Sequence, residues 1–197
     1  MKIFFRRFIF MCLLGCSLIT HAQSNYPQVK FVTSAGEFVV EVYTDKTPKT
    51  AENFLSYVRE GHYNGTIFHR VINNFMIQGG GYDSKYNEKS TRPPIKHEGV
   101  EAKASGALHN TMGTLAMART NNPHSATAQF FINVKDNDFL DHQSATQQGW
   151  GYVVFGKVIS GMDIVNRIKQ LPTGAGGPFP SDVPQTQVLI QSATLVK

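Results

Sequence analysis

Apolar and polar residues alternate along several short stretches of the chain, a period typical of half-buried β-strands. Between residues 37 and 43, for example, Phe38, Val40 and Val42 occupy every second position, with two glutamates among the residues between them. The predicted strands cover residues 29–33, 37–43, 66–72, 75–78, 114–117, 130–134, 153–158 and 188–196. The pattern therefore predicts about eight short strands.

Two other stretches have the spacing of amphipathic α-helices. In residues 51–58, apolar side chains recur at i, i+3, i+4 and i+7 and form one stripe. Thr47 is predicted to be the N-cap of this helix, Pro48 its first residue and Gly61 its end. A second helix is predicted over residues 162–170, which also carry an apolar stripe.

Together these elements predict a mainly β fold. A chain of 197 residues suffices for one domain with a substantial core and is short for two. Short strands with irregular loops predict a closed antiparallel barrel of eight strands, with a sandwich as the alternative. The two helices are expected to cover the open ends of the barrel. A long polar stretch begins at Gly79 and reaches about Met112, and its Glu98–His109 segment has no role that the pattern assigns.

The N-terminus has the three-part pattern of a secretory signal peptide. Three basic residues and no acidic one come first, an apolar run covers residues 8–19, and Thr20-His21-Ala22 places small residues before a cleavage site. We therefore predict removal of residues 1–22, which leaves residues 23–197 as a single domain. The apolar run falls short of the roughly 20 residues that span a bilayer, so a permanent anchor is the weaker alternative and no stable membrane insertion is expected after processing.

A second interpretation of the leader stays open. Leu13-Leu14-Gly15-Cys16 resembles a bacterial lipoprotein cleavage box, in which Cys16 would carry the lipid. Leu14 is bulky for the position before the glycine, and the apolar run continues beyond Cys16, so cleavage after Ala22 is favoured. The expected location is the periplasm, with a lipid anchor or secretion as alternatives. Cleavage after Ala22 removes both cysteines, which leaves no disulfide and no thiol ligand.

Charge and motifs exclude several classes of function. Cleavage would leave 16 basic and 14 acidic residues, a net charge of +2 without a basic run, so nucleic acid is not an expected partner. The six remaining histidines lack metal-binding spacing, and neither a Gly-x-Ser-x-Gly elbow nor a phosphate loop occurs. Asp136, Asp138 and Asp141 form the only carboxylate cluster, which is typical of a solvated loop. We expect no metal and no cofactor.

Arg70 is the most unusual residue of the predicted strands. It lies among large apolar side chains, and a regular strand would place it on the same face as Phe68 and Ile72 and so bury its guanidinium. Two interpretations follow. Arg70 is either a structural residue paired with a carboxylate on a neighbouring strand, or a functional residue.

The sequence around Arg70 resembles the signature of the cyclophilins. The segment Tyr63–Gly80 carries this resemblance, and Gly113–Thr120 and Ser125–Asn133 are similar to the next two family blocks. Shorter similar blocks are Phe139–Asp141, Val154–Val158 and Gly161–Asp163. They occur in family order over nearly all of residues 23–197, and they resemble the exported bacterial branch more than the eukaryotic cytosolic one.

The resemblance implies a peptidyl-prolyl cis-trans isomerase without a cofactor. Arg70 matches the catalytic arginine of the family, and Gln78 matches the glutamine beside it. The positions that match the apolar pocket for the substrate proline are Phe75, Met76, Phe131 and Leu140. The positions that match the groove for the peptide backbone are Ala118, Arg119 and Gln129. His69 matches a buried histidine of the signature and is interpreted as structural.

Two site positions depart from the best-known family pattern. Phe139 stands where many members carry a tryptophan that contacts cyclosporin, and Tyr152 stands where many carry a pocket histidine. The resemblance therefore implies weak cyclosporin binding with catalysis retained. Phe75 and Met76 are adjacent, so a regular strand would send them to opposite faces. Both can line one pocket only if the chain bends or bulges after Asn73-Asn74.

The expected activity is rotation about Xaa-Pro bonds during the folding of exported proteins. The expected partners are proline-containing peptides and unfolded exported chains, and the absence of an obvious oligomerising element favours a monomer. A proline-peptide-binding holdase with incidental catalysis is the main alternative. A small-molecule-binding barrel such as a lipocalin is the other, and the two predicted end-capping helices argue against it.

Overall fold

The computed structural model describes residues 25–106 and 108–196, so the predicted leader, its cleavage site and both cysteines lie outside it. The strands are β1 Gln28–Thr33, β2 Gly36–Val42, β3 Thr66–Ile72, β4 Met76–Asp83, β5 Thr114–Met117, β6 Phe130–Asn133, β7 Val154–Ser160, β8 Thr173–Gly176, β9 Phe179–Pro184 and β10 Leu189–Leu195. The α-helices are α1 Pro48–Arg59, α2 Gly99–Ala104 and α3 Met162–Lys169, and a 3-10 turn covers Asp138–Leu140. Within the described ranges, no helix is long and apolar enough to cross a membrane.

Eight strands close into an antiparallel barrel in the order β1-β10-β3-β4-β6-β5-β7-β2. They correspond to the eight predicted strands, so the predicted fold class is confirmed. The barrel interior is filled largely by phenylalanine rings, because the inward position of most strands is aromatic or β-branched. The fully buried rings of this core are Phe31, Phe38, Phe54, Phe68, Phe130 and Phe155. Helices α1 and α3 both contribute apolar side chains to the same core.

One predicted side-chain orientation in β3 is wrong. Phe68 pairs with Gly79 of β4 and Arg70 pairs with Gln78, so His69 is an extra residue that has no opposite partner. This β-bulge reverses the alternation of β3, since one inserted residue exchanges the two faces of a strand. Phe68 consequently lies in the barrel core, whereas Arg70 faces outward with 44% of its side chain exposed. The sequence pattern suggested a buried guanidinium, and the structure shows that it is exposed.

Strand β4 is longer than predicted because the glycine run after Gln78 belongs to it. Residues 79–81 were expected to open a polar loop, yet β4 continues through them to Asp83. Gly80 has φ +87°, and a Cβ there would lie 2.8 Å from the ring of Tyr63. The glycines thus permit a close approach of side chains to the sheet rather than ending the strand.

The segment Glu98–His109 covers the N-terminus of α1. Thr47 occupies the N-cap position as predicted, but its side chain makes no capping hydrogen bond. The buried carboxylate of Glu98 instead accepts hydrogen bonds from the backbone N–H groups of Lys49 (2.9 Å) and Thr50 (2.6 Å). Loss of this carboxylate would leave the buried N–H of Thr50 and the partly buried N–H of Lys49 without this acceptor, at a cost of roughly 1–3 kcal/mol. The cap is tertiary, so local sequence could not reveal it.

The chain also contains a hairpin that the sequence pattern did not predict. Strands β8 and β9 form a separate two-stranded sheet, and β9 packs against β3 outside the barrel. The segment is rich in glycine and proline and therefore lacks the alternation of a strand. Phe179 anchors the hairpin by stacking on His69 with ring centroids 5.3 Å apart.

Candidate active site

Four outward-facing residues form a continuous row across the barrel wall. In the register of the sheet, Arg70 of β3 is opposite Gln78 of β4, Gln78 is opposite Phe131 of β6, and Phe131 is opposite Ala116 of β5. Neighbouring strands lie about 4.8 Å apart, so Arg70 and Phe131 are separated by roughly 10 Å at the backbone, within reach of an arginine side chain.

The row of residues one position further along faces the opposite way. It consists of Val71, Ile77, Ile132 and Leu115, and all four belong to the barrel core. The strict alternation of side chains thus builds the core and the outer row from the same four strands. Phe130 and Phe131 illustrate this, because the first fills the core and the second lies in a separate outer cluster.

A small pocket opens over this outer row. Its cavity measures about 190 Å³, less than the roughly 300–1,000 Å³ of sites for drug-sized ligands, and suits a single side chain. Nine of the residues predicted from the sequence line it: Arg70, Phe75, Met76, Gln78, Ala118, Arg119, Phe131, Leu140 and Tyr152. The apolar members form a cluster apart from the barrel core. The pocket therefore has an apolar cup with two guanidinium groups among its lining.

Two predicted site residues lie beside the pocket rather than in its lining. Gln129 is two residues from Phe131 on the same face, and its Oε1 accepts a hydrogen bond from Gln78 Nε2 at 3.0 Å. Phe139 has 73% of its surface exposed and stacks on Phe75 with ring centroids 5.9 Å apart. Gln129 therefore supports the polar side of the site, and Phe139 extends its apolar rim.

The expected bend before β4 is present and places Phe75 beside Met76. Asn74 has a left-handed φ of +59°, and the Phe75 N–H donates to the Ile72 carbonyl at 3.1 Å, which closes a turn. Met76 is the first residue of β4, so Phe75 precedes the strand and is free of its alternation. Both side chains can consequently line one pocket.

Arg70 is held by polar groups on two sides. Its Nη1 donates to Gln78 Oε1 at 3.5 Å, and its Nε lies 3.8 Å from Asp182 Oδ2 of β9. The structural interpretation predicted a carboxylate on a neighbouring strand, and Asp182 is that carboxylate. The same arginine lines the pocket, so the two interpretations of Arg70 are compatible.

Arg119 supports one wall of the pocket. Its Nε and Nη2 both donate to the Gly151 carbonyl, at 3.0 and 2.8 Å, and its Nη1 donates to the Thr120 carbonyl at 2.9 Å. The guanidinium also lies over the Tyr152 ring, 4.6 Å from its centroid, which favours a cation–π contact. Tyr152 meets Phe131 edge-to-face at 5.4 Å. Arg119 thereby fixes the ring that closes this side of the cup.

A buried asparagine network, which the sequence reasoning missed, fixes the opposite wall. Asn137 Nδ2 donates to the Phe75 carbonyl at 2.9 Å and to Asn133 Oδ1 at 2.7 Å. Asn133 Nδ2 donates in turn to Asn110 Oδ1 at 3.1 Å, and Asn110 Nδ2 donates to the Tyr152 carbonyl at 3.2 Å. The network joins both walls of the pocket. The several asparagines near residue 133 were the only signal of it in the sequence.

His69 is buried behind the site and is neutral at ordinary pH. Its ring packs between Tyr82 and Phe179, and its Nδ1 has no hydrogen-bond partner among the described residues. Burial, with the adjacent positive charge of Arg70, lowers its pKa from 6.5 to about 4. This position agrees with the structural interpretation of His69. In the part of the chain that the structure covers, no group of three or more metal-ligating residues comes together.

Comparison with known proteins agrees with this geometry. Residues 28–195 match the family described as cyclophilin type peptidyl-prolyl cis-trans isomerase/CLD. The chain is 55% identical over 167 residues to peptidyl-prolyl cis-trans isomerase B of Escherichia coli, a match that covers 85% of this chain and 98% of that protein. It is 52% identical over 184 residues to a peptidyl-prolyl cis-trans isomerase of Acinetobacter baylyi, covering 93% of each.

Solved structures share the fold. A crystal structure of a Cryptosporidium parvum cyclophilin type peptidyl-prolyl cis-trans isomerase in the presence of the dipeptide Ala-Pro matches with a TM-score of 0.63 and 26% identity, covering 86% of this chain and 99% of that one. The alternative of a small-molecule-binding barrel, such as a lipocalin, is therefore excluded. With its closed barrel and its apolar cup beside an arginine, the chain belongs to the cyclophilin-type family and is a peptidyl-prolyl cis-trans isomerase.

Proposed function

We propose that this isomerase accelerates rotation about Xaa-Pro bonds in exported proteins as they fold, with Arg70 stabilising the twisted amide. The observation that supports the proposal most strongly is the row in which Gln78 stands between Arg70 and Phe131, with all three side chains lining one pocket. A proline ring on Phe131 would lie within reach of the Arg70 side chain.

The chemistry needs no covalent intermediate. Amide resonance gives rotation about the C–N bond a barrier of about 18–20 kcal/mol, and Xaa-Pro bonds relax over tens to hundreds of seconds. In the twisted state the prolyl nitrogen regains its lone pair and becomes a hydrogen-bond acceptor. A donor that meets this nitrogen is bonded only in the transition state, which is the condition for raising the rate.

The remaining site residues are proposed to hold the substrate. The cup formed by Phe75, Met76, Phe131 and Leu140 would grip the pyrrolidine ring, and each buried methylene contributes roughly 0.8 kcal/mol. Ala118 and Gln129 would border the peptide backbone. Because the nitrogens of Arg119 already donate to backbone carbonyls, we assign it to holding Tyr152 in place rather than to direct contact with the peptide.

The leader sequence and the exposed surface of the site support a proposal on partners and location. We propose a periplasmic monomer that binds proline-containing segments of unfolded exported proteins after cleavage behind Ala22. Phe139, rather than a tryptophan, at the exposed rim supports weak cyclosporin binding.

Refolding of an exported substrate separates a catalyst from a holdase. Addition of residues 23–197 to a protein whose slow refolding phase is limited by Xaa-Pro isomerisation should increase the rate of that phase in proportion to enzyme concentration. Stopped-flow fluorescence after a double jump, which sets the cis and trans populations, measures the rate. A holdase would increase the yield of refolded protein and leave the slow rate unchanged, and that result would contradict the proposal.

The processing of the leader has its own test. We expect the mature protein to begin at Gln23 in both the membrane fraction and the periplasmic fraction of the cell. Intact-mass and N-terminal mass spectrometry identify this first residue. Recovery in the membrane fraction of a chain that begins at a diacylglyceryl-modified Cys16 would replace the soluble periplasmic location with a lipid anchor.

A further inference from the structure

The β8–β9 hairpin places an unusual residue beside Arg70. Asp182 has φ +66°, a left-handed conformation that non-glycine residues seldom adopt, although aspartate and asparagine adopt it more readily than most. Its carboxylate Oδ2 lies 3.8 Å from Arg70 Nε. Residues held in such conformations cluster at functional sites.

The conformation of Asp182 arises from a bulge in β9. Gly174 pairs with Val183 and Gly176 pairs with Phe179, so residues 180–182 of β9 stand opposite the single residue Ala175 of β8. The extra residues leave the ladder, and Asp182 turns away from β8 towards β3. A regular hairpin of this length would not deliver the carboxylate to Arg70.

Aromatic packing fixes the bulged strand against the barrel. Phe179 stacks on His69 at 5.3 Å and meets Tyr82 edge-to-face at 5.1 Å. His69 is the bulged residue of β3 and immediately precedes Arg70. The bulge at His69 therefore turns Arg70 outward, and the bulge in β9 turns Asp182 towards it. The ring contacts of Phe179 hold β9 against β3.

We propose that Asp182 is a positioning residue for catalysis by Arg70. Its carboxylate faces the Nε edge of the guanidinium, while Gln78 Oε1 accepts from Nη1 at 3.5 Å. Two anchors on two nitrogens restrict rotation of the planar group and leave its remaining N–H groups for the substrate. The inference rests on the proposed role of Arg70.

The pair contributes orientation rather than stability. The side chains of Arg70 and Asp182 are 44% and 37% exposed, and ion pairs so exposed contribute little to folding. The apolar cup binds the proline without help from Asp182, which is absent from the pocket lining. Loss of the carboxylate should therefore lower the catalysed rate and leave peptide affinity and folding nearly unchanged.

The test is Asp182→Asn, because asparagine matches the size of aspartate, tolerates the left-handed conformation and lacks the charge. Exchange NMR on a saturating Xaa-Pro peptide should show a fall of about fivefold in the catalysed cis–trans rate, with an unchanged dissociation constant from titration. The Nε–Hε resonance of Arg70 should shift in the same variant. Asp163→Asn is the matched control, since Asp163 pairs with Arg167 at 3.6 Å on α3 and belongs neither to the Arg70–Asp182 pair nor to the pocket lining, so it should alter neither reading.

Two further variants separate the possible failures. Asp182→Gly also removes the carboxylate but relieves the backbone, so it should lose activity like Asp182→Asn without losing stability. In an Arg70→Ala background, assayed at raised enzyme concentration, Asp182→Asn should have no further effect. Full activity of Asp182→Asn, together with inactivity of Arg70→Ala, would overturn the role of Asp182 alone. Full activity of Arg70→Ala would instead overturn the proposed catalytic role of Arg70, on which the role of Asp182 rests.

Discussion

Replacement of Arg70 by alanine is expected to lower kcat/KM for isomerisation of an Xaa-Pro peptide by about 100- to 1,000-fold. The guanidinium supplies a donor to a nitrogen that accepts only in the twisted state, so its removal affects the transition state and not the ground state. Relaxation of the peptide from its cis to its trans form, followed by NMR or by a solvent jump, measures the loss.

Peptide binding should survive this substitution. Arg70 lines the pocket with its side chain 44% exposed, and the residues that would grip the proline belong to a separate apolar cluster. We expect the dissociation constant to change by less than about threefold, because an exposed contact contributes little binding free energy. The thermal unfolding midpoint should also change little, because no core contact is lost.

Two variants make the result specific. Arg70→Lys keeps the positive charge but has a single compact donor group in place of the planar fork, so it should recover only part of the activity. Arg59→Ala removes an exposed arginine from α1, where it pairs with Glu52 at 2.7 Å, and should leave the rate unchanged. Retention of most activity by Arg70→Ala would show that burial of the ring in the cup, rather than a hydrogen bond to nitrogen, produces the acceleration.

The periodic parts of this fold were predictable from sequence because their signals are local. Alternation located all eight barrel strands, although β4 extends five residues beyond its predicted end, and the stripe in residues 51–58 located α1. The orientation of Arg70 was not predictable in this way. A single inserted residue, His69, reverses the faces of β3, and a bulge leaves no mark in the hydrophobic pattern.

The features that sequence reasoning missed depend on partners distant in the chain. The carboxylate of Glu98 caps a helix that begins about fifty residues earlier, and the β8–β9 hairpin packs on β3 through Phe179. The family resemblance supplied the site residues, and the structure brings nine of them around one pocket. It gave no indication of Asp182, which has its place in the site only through the fold.

Acidification from pH 7.5 to pH 5 is expected to remove roughly 4 kcal/mol from the free energy of unfolding, through two buried histidines. His69 and His97 are 3% and 9% exposed, and burial lowers the pKa of each from 6.5 to about 4. Positive neighbours reinforce the effect of burial in both cases, Arg70 at His69 and Arg119 at His97.

The sign follows from proton binding. Between pH 6.5 and pH 4 the unfolded chain protonates both histidines while the folded chain keeps them neutral, so the unfolded state binds more protons and gains stability as the pH falls. Relative to neutral pH, each histidine lowers the free energy of unfolding by roughly 2 kcal/mol at pH 5 and by roughly 3 kcal/mol near pH 4. The lowered pKa of Glu52 adds a further loss of stability only as the pH falls towards 4.5 and below, where the unfolded chain begins to protonate that carboxylate. Total stabilities are typically about 5–15 kcal/mol, so the loss is a large share.

Urea denaturation at pH 7.5, 6.5, 5.5 and 5.0 measures this dependence, and His69→Phe identifies its source. The Nδ1 of His69 has no partner among the described residues, and a phenyl ring can take its place in the stack with Tyr82 and Phe179. We expect the variant to lose a large part of the pH dependence, because the contributions of His97 and of half-buried His62, whose pKa is also lowered by burial, remain. A wild-type free energy of unfolding that stays constant from pH 7.5 to pH 5 would mean that both histidines protonate as readily in the folded protein as in the unfolded chain, contrary to their burial.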